Sequence, residues 1–144
     1  MTSFTSRYGE PAADFQGAHV RAHHRHGSTV VAISGRIDAR NLARVTDHVT
    51  RFILADTPLV LDLSAVTAFT GTATGMFDAV ETRCAEIGVG WALIPGEIVA
   101  SRLRSRADAV DLPFIGSVAE AEHQFDEAVL KRRRMLLPLL RKSA

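Results

Sequence analysis

Residues 59–80 read LVLDLSAVTAFTGTATGMFDAV. An aliphatic, β-branched run passes through a turn of threonines and glycines, after which Met76, Phe77, Val80, Cys84 and Ile87 recur at the spacing of one helix face. Strand, tight turn and helix make up the repeating unit of an α/β protein, and ligands or partners meet such proteins at that turn. The rest of the chain can be read outward from this unit.

Upstream, AHVRAHHRHGSTVVAISG places two strand-like runs around His26-Gly27-Ser28, where Gly and Ser supply turn conformations. Thr29 to Ser34 is almost continuously apolar, which predicts a strand buried on both faces. A helix is expected after GRID. Asp38 would be its N-cap, with Leu42, Val45, Val49, Phe52 and Ile53 packing inward and Arg40, Arg44, Asp47 and Arg51 facing water. Downstream, Gly88 ends the second helix, VGWALIP is a third buried strand, and a short helix near Ile98 to Arg106 leads to a loop carrying DLPF. Ser117 and Glu120 form a capping box that opens a last helix with Val118, Ala121, Phe125 and Val129 inward.

At 144 residues the chain fits one domain. Residues 1–17, polar and carrying Gly and Pro, read as a flexible arm, residues 18–130 as the domain, and residues 131–144 as a basic tail. All 16 acidic residues lie at or before Glu127, so residues 1–130 hold eleven cations against sixteen anions, a net −5. A body of that sign has no nucleic-acid footprint. No apolar stretch has signal-peptide or membrane-spanning length, so a cytoplasmic protein without stable membrane insertion is expected. The single Cys84 excludes an internal disulfide and a cysteine zinc site, and its place in an apolar stripe makes it a core residue. The Arg-to-Lys ratio of 15 to 2 fits a GC-rich genome.

The free amides of a helix start at Gly71-Thr72-Ala73-Thr74-Gly75 could attract an anion. This is not a P-loop, because Met76 and Phe77 stand where Lys and Ser or Thr are required. A threonine nucleophile would need a base and an oxyanion hole. The chain has no G-x-S-x-G elbow, and Asp38 is the one carboxylate that topology brings near. Neither a catalytic residue nor a cofactor is expected, so the chain reads as a non-enzyme, and Thr70 or Thr72 would cap the helix. His24 and His26 share a strand face, yet no carboxylate or cysteine at ligand spacing joins them. His19, His23, His24 and His26 therefore read as polar residues of a solvated edge strand, with no metal site. KRRRMLLPLLRK, residues 131–142, complements the carbonyl end of the preceding helix and could rest near an anionic membrane surface, although Pro138 is expected to break the helix.

In order and spacing, VVAISGRIDARN, LVLDLSAVTAF and RADAVDLPF resemble the STAS domain, the family named for sulfate transporters and anti-sigma factor antagonists. The resemblance covers about Thr29 to Val129 and implies a mixed, mostly parallel sheet with packed helices. It further implies a bacterial regulator of transcription that works by protein–protein interaction, an anti-sigma factor antagonist whose partner is an anti-sigma factor of the serine-kinase type. In antagonist members the strand is followed by Asp-Ser-Ser/Thr-Gly-Leu-Gly, and the partner phosphorylates the first hydroxyl residue. Laid onto this chain, the Asp falls on Thr70, the acceptor on Gly71 and the next hydroxyl on Thr72, with Ala73, Thr74 and Gly75 following.

The acceptor hydroxyl is therefore missing. Three outcomes are open: constitutive binding, a switch moved to Thr72 or Thr70, or departure from this circuit. The expected partner-binding surface comprises Arg36, Ile37, Asp38, Thr70, Gly71, Thr72, Ala73 and Thr74, which share one end of the sheet if their strands are parallel neighbours. Two alternatives from other classes remain. One is a STAS subunit of a membrane lipid-transport assembly, and the other is a small-anion or nucleotide-binding module using the Gly71–Gly75 turn.

Overall fold

The computed structural model describes residues 12–25, 27–104 and 112–142; for residues 71, 72, 132, 133 and 135–142 it describes the backbone path. Five strands, β1 (Ala12–Phe15), β2 (Ala18–Arg25), β3 (Ser28–Ile37), β4 (Leu59–Phe69) and β5 (Trp91–Ile94), form one sheet in the order of the chain. The first three pair antiparallel, whereas β3, β4 and β5 pair parallel, giving the mixed α/β sheet that the sequence predicts. Helix α1 (Leu42–Thr50) crosses from β3 to β4, and a 3₁₀ turn (Gly71–Thr74) followed by α2 (Gly75–Ile87) crosses from β4 to β5. Helices α3 (Gly96–Leu103) and α4 (Val118–Lys142) complete the described chain.

The two faces of the sheet are covered unequally. Ala18, Val20 and Ala22 of β2 alternate inward with Ile33, Leu61 and Leu63, and against them pack Val45 and Val49 of α1, Phe77 and Val80 of α2 and Val99 of α3. On the opposite face Val30, Val60, Ala92 and Ile94 receive Ala121, Val118 and Phe125 from the first turns of α4. Arg25 Nε donates to Glu122 Oε1 at 2.9 Å, which fixes this helix to β2. Beyond β5, Leu93 N donates to Pro113 O and Ile115 N donates to Leu93 O, each at 2.9 Å, so Phe114 bridges β5 as a one-residue strand.

One glycine is required by geometry. Gly35 has φ +88°, and a Cβ there would overlap the carbonyl oxygen of Gly17. That carbonyl accepts from Arg36 N at 2.9 Å, closing the turn between β1 and β2 against β3.

Several expectations are corrected. Residues 12–15 form a strand paired with Ala18–Arg21, so the segment read as an arm over residues 1–17 contributes to the sheet; residues 1–11 lie outside the described residues. With β1 outside it, β2 is an interior strand, and the edge-strand explanation of its histidines does not hold. Helix α1 begins at Leu42 with Asn41 at its N-cap position, and Asp38 stands in the turn ahead of it, its carboxylate accepting from Arg40 N at 2.9 Å. Helix α4 continues past Pro138 to Lys142: proline removes one helical hydrogen bond, and the flanking Leu, Arg and Lys are good helix formers. Val129 is 46% exposed, since the helix has by then left the sheet. The RADAV segment and His26 lie outside the described residues.

The capping box stands in modified form. Ser117 Oγ accepts from Glu120 N at 3.1 Å, while Glu120 Oε2 reaches one residue further back, to Gly116 N at 3.2 Å.

Candidate functional site

The carboxyl ends of β3 and β4 lie side by side, with Arg36 opposite Ala68 and Ile37 opposite Phe69. Thr70 N donates to Ile37 O at 3.2 Å and carries the pairing one residue past the strand. The parallel register therefore brings Arg36 to Asp38 and Thr70 to Thr74 together on one edge of the sheet, as the topology requires.

A buried asparagine holds the first half of this ledge. Asn41 is fully buried; its Nδ2 donates to Arg36 O at 2.8 Å and Phe15 O at 2.9 Å, and its Oδ1 accepts from Asp38 N at 3.0 Å. One side chain thus ties β1, the end of β3 and the loop into α1. Asp38 O in turn accepts from Leu42 N at 2.9 Å in the turn that leads into α1, and Asn41 O accepts from Val45 N at 2.9 Å as the helix starts. The second half is built from backbone. Thr70 O accepts from Ala73 N at 3.0 Å in the 3₁₀ turn, which runs directly into α2. Beneath it the rings of Phe69 and Phe77 stack with centroids 5.8 Å apart.

The residues of the expected surface differ in what they can offer. Arg36 and Thr70 are exposed, Asp38 and Thr74 are half-buried, and Ile37 and Ala73 are fully buried. Ile37 and Ala73 support the ledge from below, and a partner would meet the side chains of Arg36, Asp38, Thr70 and Thr74. Gly71 and Thr72 lie in the 3₁₀ turn. Thr74 occupies the N-cap position of α2 with no side-chain capping bond, and the helix is entered through the 3₁₀ turn. Sequence reasoning passed over Asn41, although it stands in the GRIDARN run; a small amide after a strand-ending Gly-Arg-Ile-Asp was the available signal.

Outside the ledge, His19 pairs with Asp14 across β1 and β2, and His24 Nδ1 lies 3.2 Å from Thr29 Oγ1. No group of three or more potential metal ligands occurs among the described residues. Cys84 is buried, and burial, with the Glu81 carboxylate adding to it, pushes its thiol up to about 11. Such a thiol is a core group, poorly suited to act as a nucleophile.

The model of the STAS domain family matches residues 19–121. The chain is a STAS domain. It is 38% identical over 146 residues to Osmosensory protein A of Mycobacterium tuberculosis, an alignment covering 99% of this chain and 92% of the relative. An anti-sigma factor antagonist from Mycobacterium paratuberculosis has a similar structure, with TM-score 0.64 and 18% identity over 72% of this chain and 90% of the other. The anti-sigma factor antagonist SpoIIAA in its unphosphorylated form matches with TM-score 0.60 and 10% identity, over 75% and 96% of the two chains. At these identities the two structures establish the fold that this STAS domain shares with them. No helix among the described residues is long and apolar enough to cross a membrane.

Proposed function

We infer that this STAS domain is a protein-interaction regulator of the anti-sigma factor antagonist type. It binds an anti-sigma factor of the serine-kinase class through the ledge at the ends of β3 and β4, inside the cell and without catalysis of its own. The observation that carries this reading is the ledge itself. Two loops distant in sequence are brought to one edge by the Ile37–Phe69 register, one of them locked by Asn41, and they present Arg36, Asp38, Thr70 and Thr74. A surface whose backbone is pre-formed, with three short polar side chains and Arg36 over a buried floor, docks a partner with little backbone ordering cost. The kinship in fold with anti-sigma factor antagonists supports the same reading, and the name of the mycobacterial relative adds osmotic change as a condition under which the interaction would operate.

The phosphorylation switch is absent at its usual place in this reading, because Gly71 occupies the acceptor position. The domain is then binding-competent without a dephosphorylation step.

Affinity capture with the tagged full chain tests the proposal. The expected prey is a small ATPase-fold kinase, lost with Arg36→Glu or Thr70→Arg while the thermal midpoint stays within about 2 °C, since both side chains are exposed. Capture of a transporter component in its place would move the protein to a lipid-transport assembly and overturn the regulator reading.

A further inference from the structure

Among the described residues, the α4 face of the sheet is only half covered. Cross-strand register aligns His23, Val30, Val60 and Ala92 in one row, and Val30, Val60 and Ala92 lie under α4. One step further along the strands the rows become Arg21, Ala32, Asp62 and then His19, Ser34, Ala65. Small residues occupy the middle of both rows, flanked by Arg21 and Asp62 in the first and by His19 on one side of the second. The result is a groove of about 230 Å³ lined by His19, Arg21, Ala32, Ser34, Asp62 and Ser64.

The charges of this groove are arranged in an unusual way. Arg21 makes no ion pair among the described residues, although Asp62 stands in its own row with only Ala32 between them. Two strand spacings, about 9–10 Å, separate their backbones. Asp62 Oδ1 accepts from Ser64 N at 3.0 Å and from Ser64 Oγ at 2.6 Å, which fixes the carboxylate on its wall. On the other wall His19 is held by Asp14. A cation and an anion thus stand on either side of an alanine floor without forming an ion pair.

We propose that this groove binds a small zwitterion, such as an amino acid or a betaine, with its carboxylate on the Arg21 guanidinium and its cationic nitrogen against Asp62. The short span between the two charges of such a molecule, together with one charge-assisted contact at each end, bridges the gap that the protein leaves open. The volume lies below that of sites for drug-sized or nucleotide ligands, which selects for a small metabolite. Ser34 and Ser64 supply hydroxyls along the groove, and Ala32 keeps the floor low enough for a ligand to lie across it. The site is on the face opposite α2 and its 3₁₀ turn, so it stands independently of partner docking at the ledge.

Titration of the full chain with glycine betaine and L-proline, followed by calorimetry and by amide shifts in heteronuclear NMR, tests the assignment. Acetate and tetramethylammonium serve as the two half-ligands. Saturable binding is expected for both zwitterions, with shifts at Ala32, Ser34, Asp62 and Ser64. Each half-ligand should bind about tenfold or more weakly, as should both zwitterions to Arg21→Gln and to Asp62→Asn. Arg21 is exposed and Asp62→Asn preserves shape, so circular dichroism should show both variants folded. Three results would each overturn the proposal: no saturable binding of either zwitterion, acetate binding as tightly as the zwitterions and surviving Asp62→Asn, or shifts confined to Gly71–Thr74.

Discussion

A glycine carries no hydroxyl, so Gly71, the proposed phosphoacceptor position, cannot itself be phosphorylated. Incubation with a cognate kinase-type anti-sigma factor and ATP should leave its intact mass unchanged, while Gly71→Ser should gain phosphate. Stoichiometric phosphate mapped to Thr72 or Thr70 would show instead a switch shifted along the 3₁₀ turn. Cys84 permits a second prediction at this scale. Its thiol rises from an ordinary value of 9.0 to about 11 on folding, so the native state holds the proton more tightly than the unfolded chain does. The resulting stability is fully present below pH 9.0 and is lost as pH climbs through about 11. Urea unfolding of the wild type should therefore weaken by about 2 kcal/mol over that alkaline window, and the same window should have little effect on Cys84→Ala. In the native state at neutral pH, thiol reagents should label Cys84 only as fast as the protein opens.

At the scale of elements, the junction of β1, β3 and α1 depends on two side chains. Asn41→Ala would leave the carbonyls of Phe15 and Arg36 without their buried donor and should cost about 2–4 kcal/mol in urea unfolding. His48 of α1 lies between Phe15 and Phe52, with ring centroids 5.0 and 5.1 Å away. Burial lowers its pKa, Arg51 lowers it further, and Asp47 pulls the other way. The folded state resists the proton, so this stability is present above the ordinary value of 6.5 and is lost as pH falls through the depressed one. The urea midpoint of the wild type should drop on acidification more than that of His48→Gln. These contacts also mark what the sequence could reveal. The strands β3 and β4, buried on both faces over Ser28–Val31 and Leu59–Leu61, the stripe of α2 and its end at Gly88 were legible because they rest on local periodicity and chirality, whereas the open face further along at Ala32, Ser34 and Ser64 was not. The strand β1 was not, because four residues acquire strand character only from the partner they pair with. Asp38 misled because one carboxylate serves equally as a helix cap and as a turn former. In the same way, the meeting of Arg36–Asp38 with Thr70–Thr74 followed from the parallel-neighbour rule. The burial of Ile37 and Ala73 beneath them did not, since side-chain phase at a strand end or in a 3₁₀ turn is set by tertiary packing.

Among the described residues, the sheet has one face covered by α1, α2 and α3 and a second face on which α4 rests by its first turns. Removal of residues 131–144 should shift the thermal midpoint by no more than about 2 °C, because the described packing contacts of α4 end at Phe125. Phe125→Ala, by contrast, should cost about 1–2 kcal/mol, less than a full core aromatic because the ring is half-buried. The succession of strands in chain order also has a consequence for synthesis on the ribosome. Each strand emerges to find its template already assembled, so the sheet can grow vectorially from the β1–β2–β3 meander. While α2 is being made, Leu59–Asp62 presents an open strand edge that Trp91–Ile94 will later pair with. Ribosome-stalled chains should therefore aggregate most when they end between Phe69 and Trp91. Sedimentation should show that tendency vanishing once Ile115 has left the exit tunnel and Phe114 has sealed the outer strand.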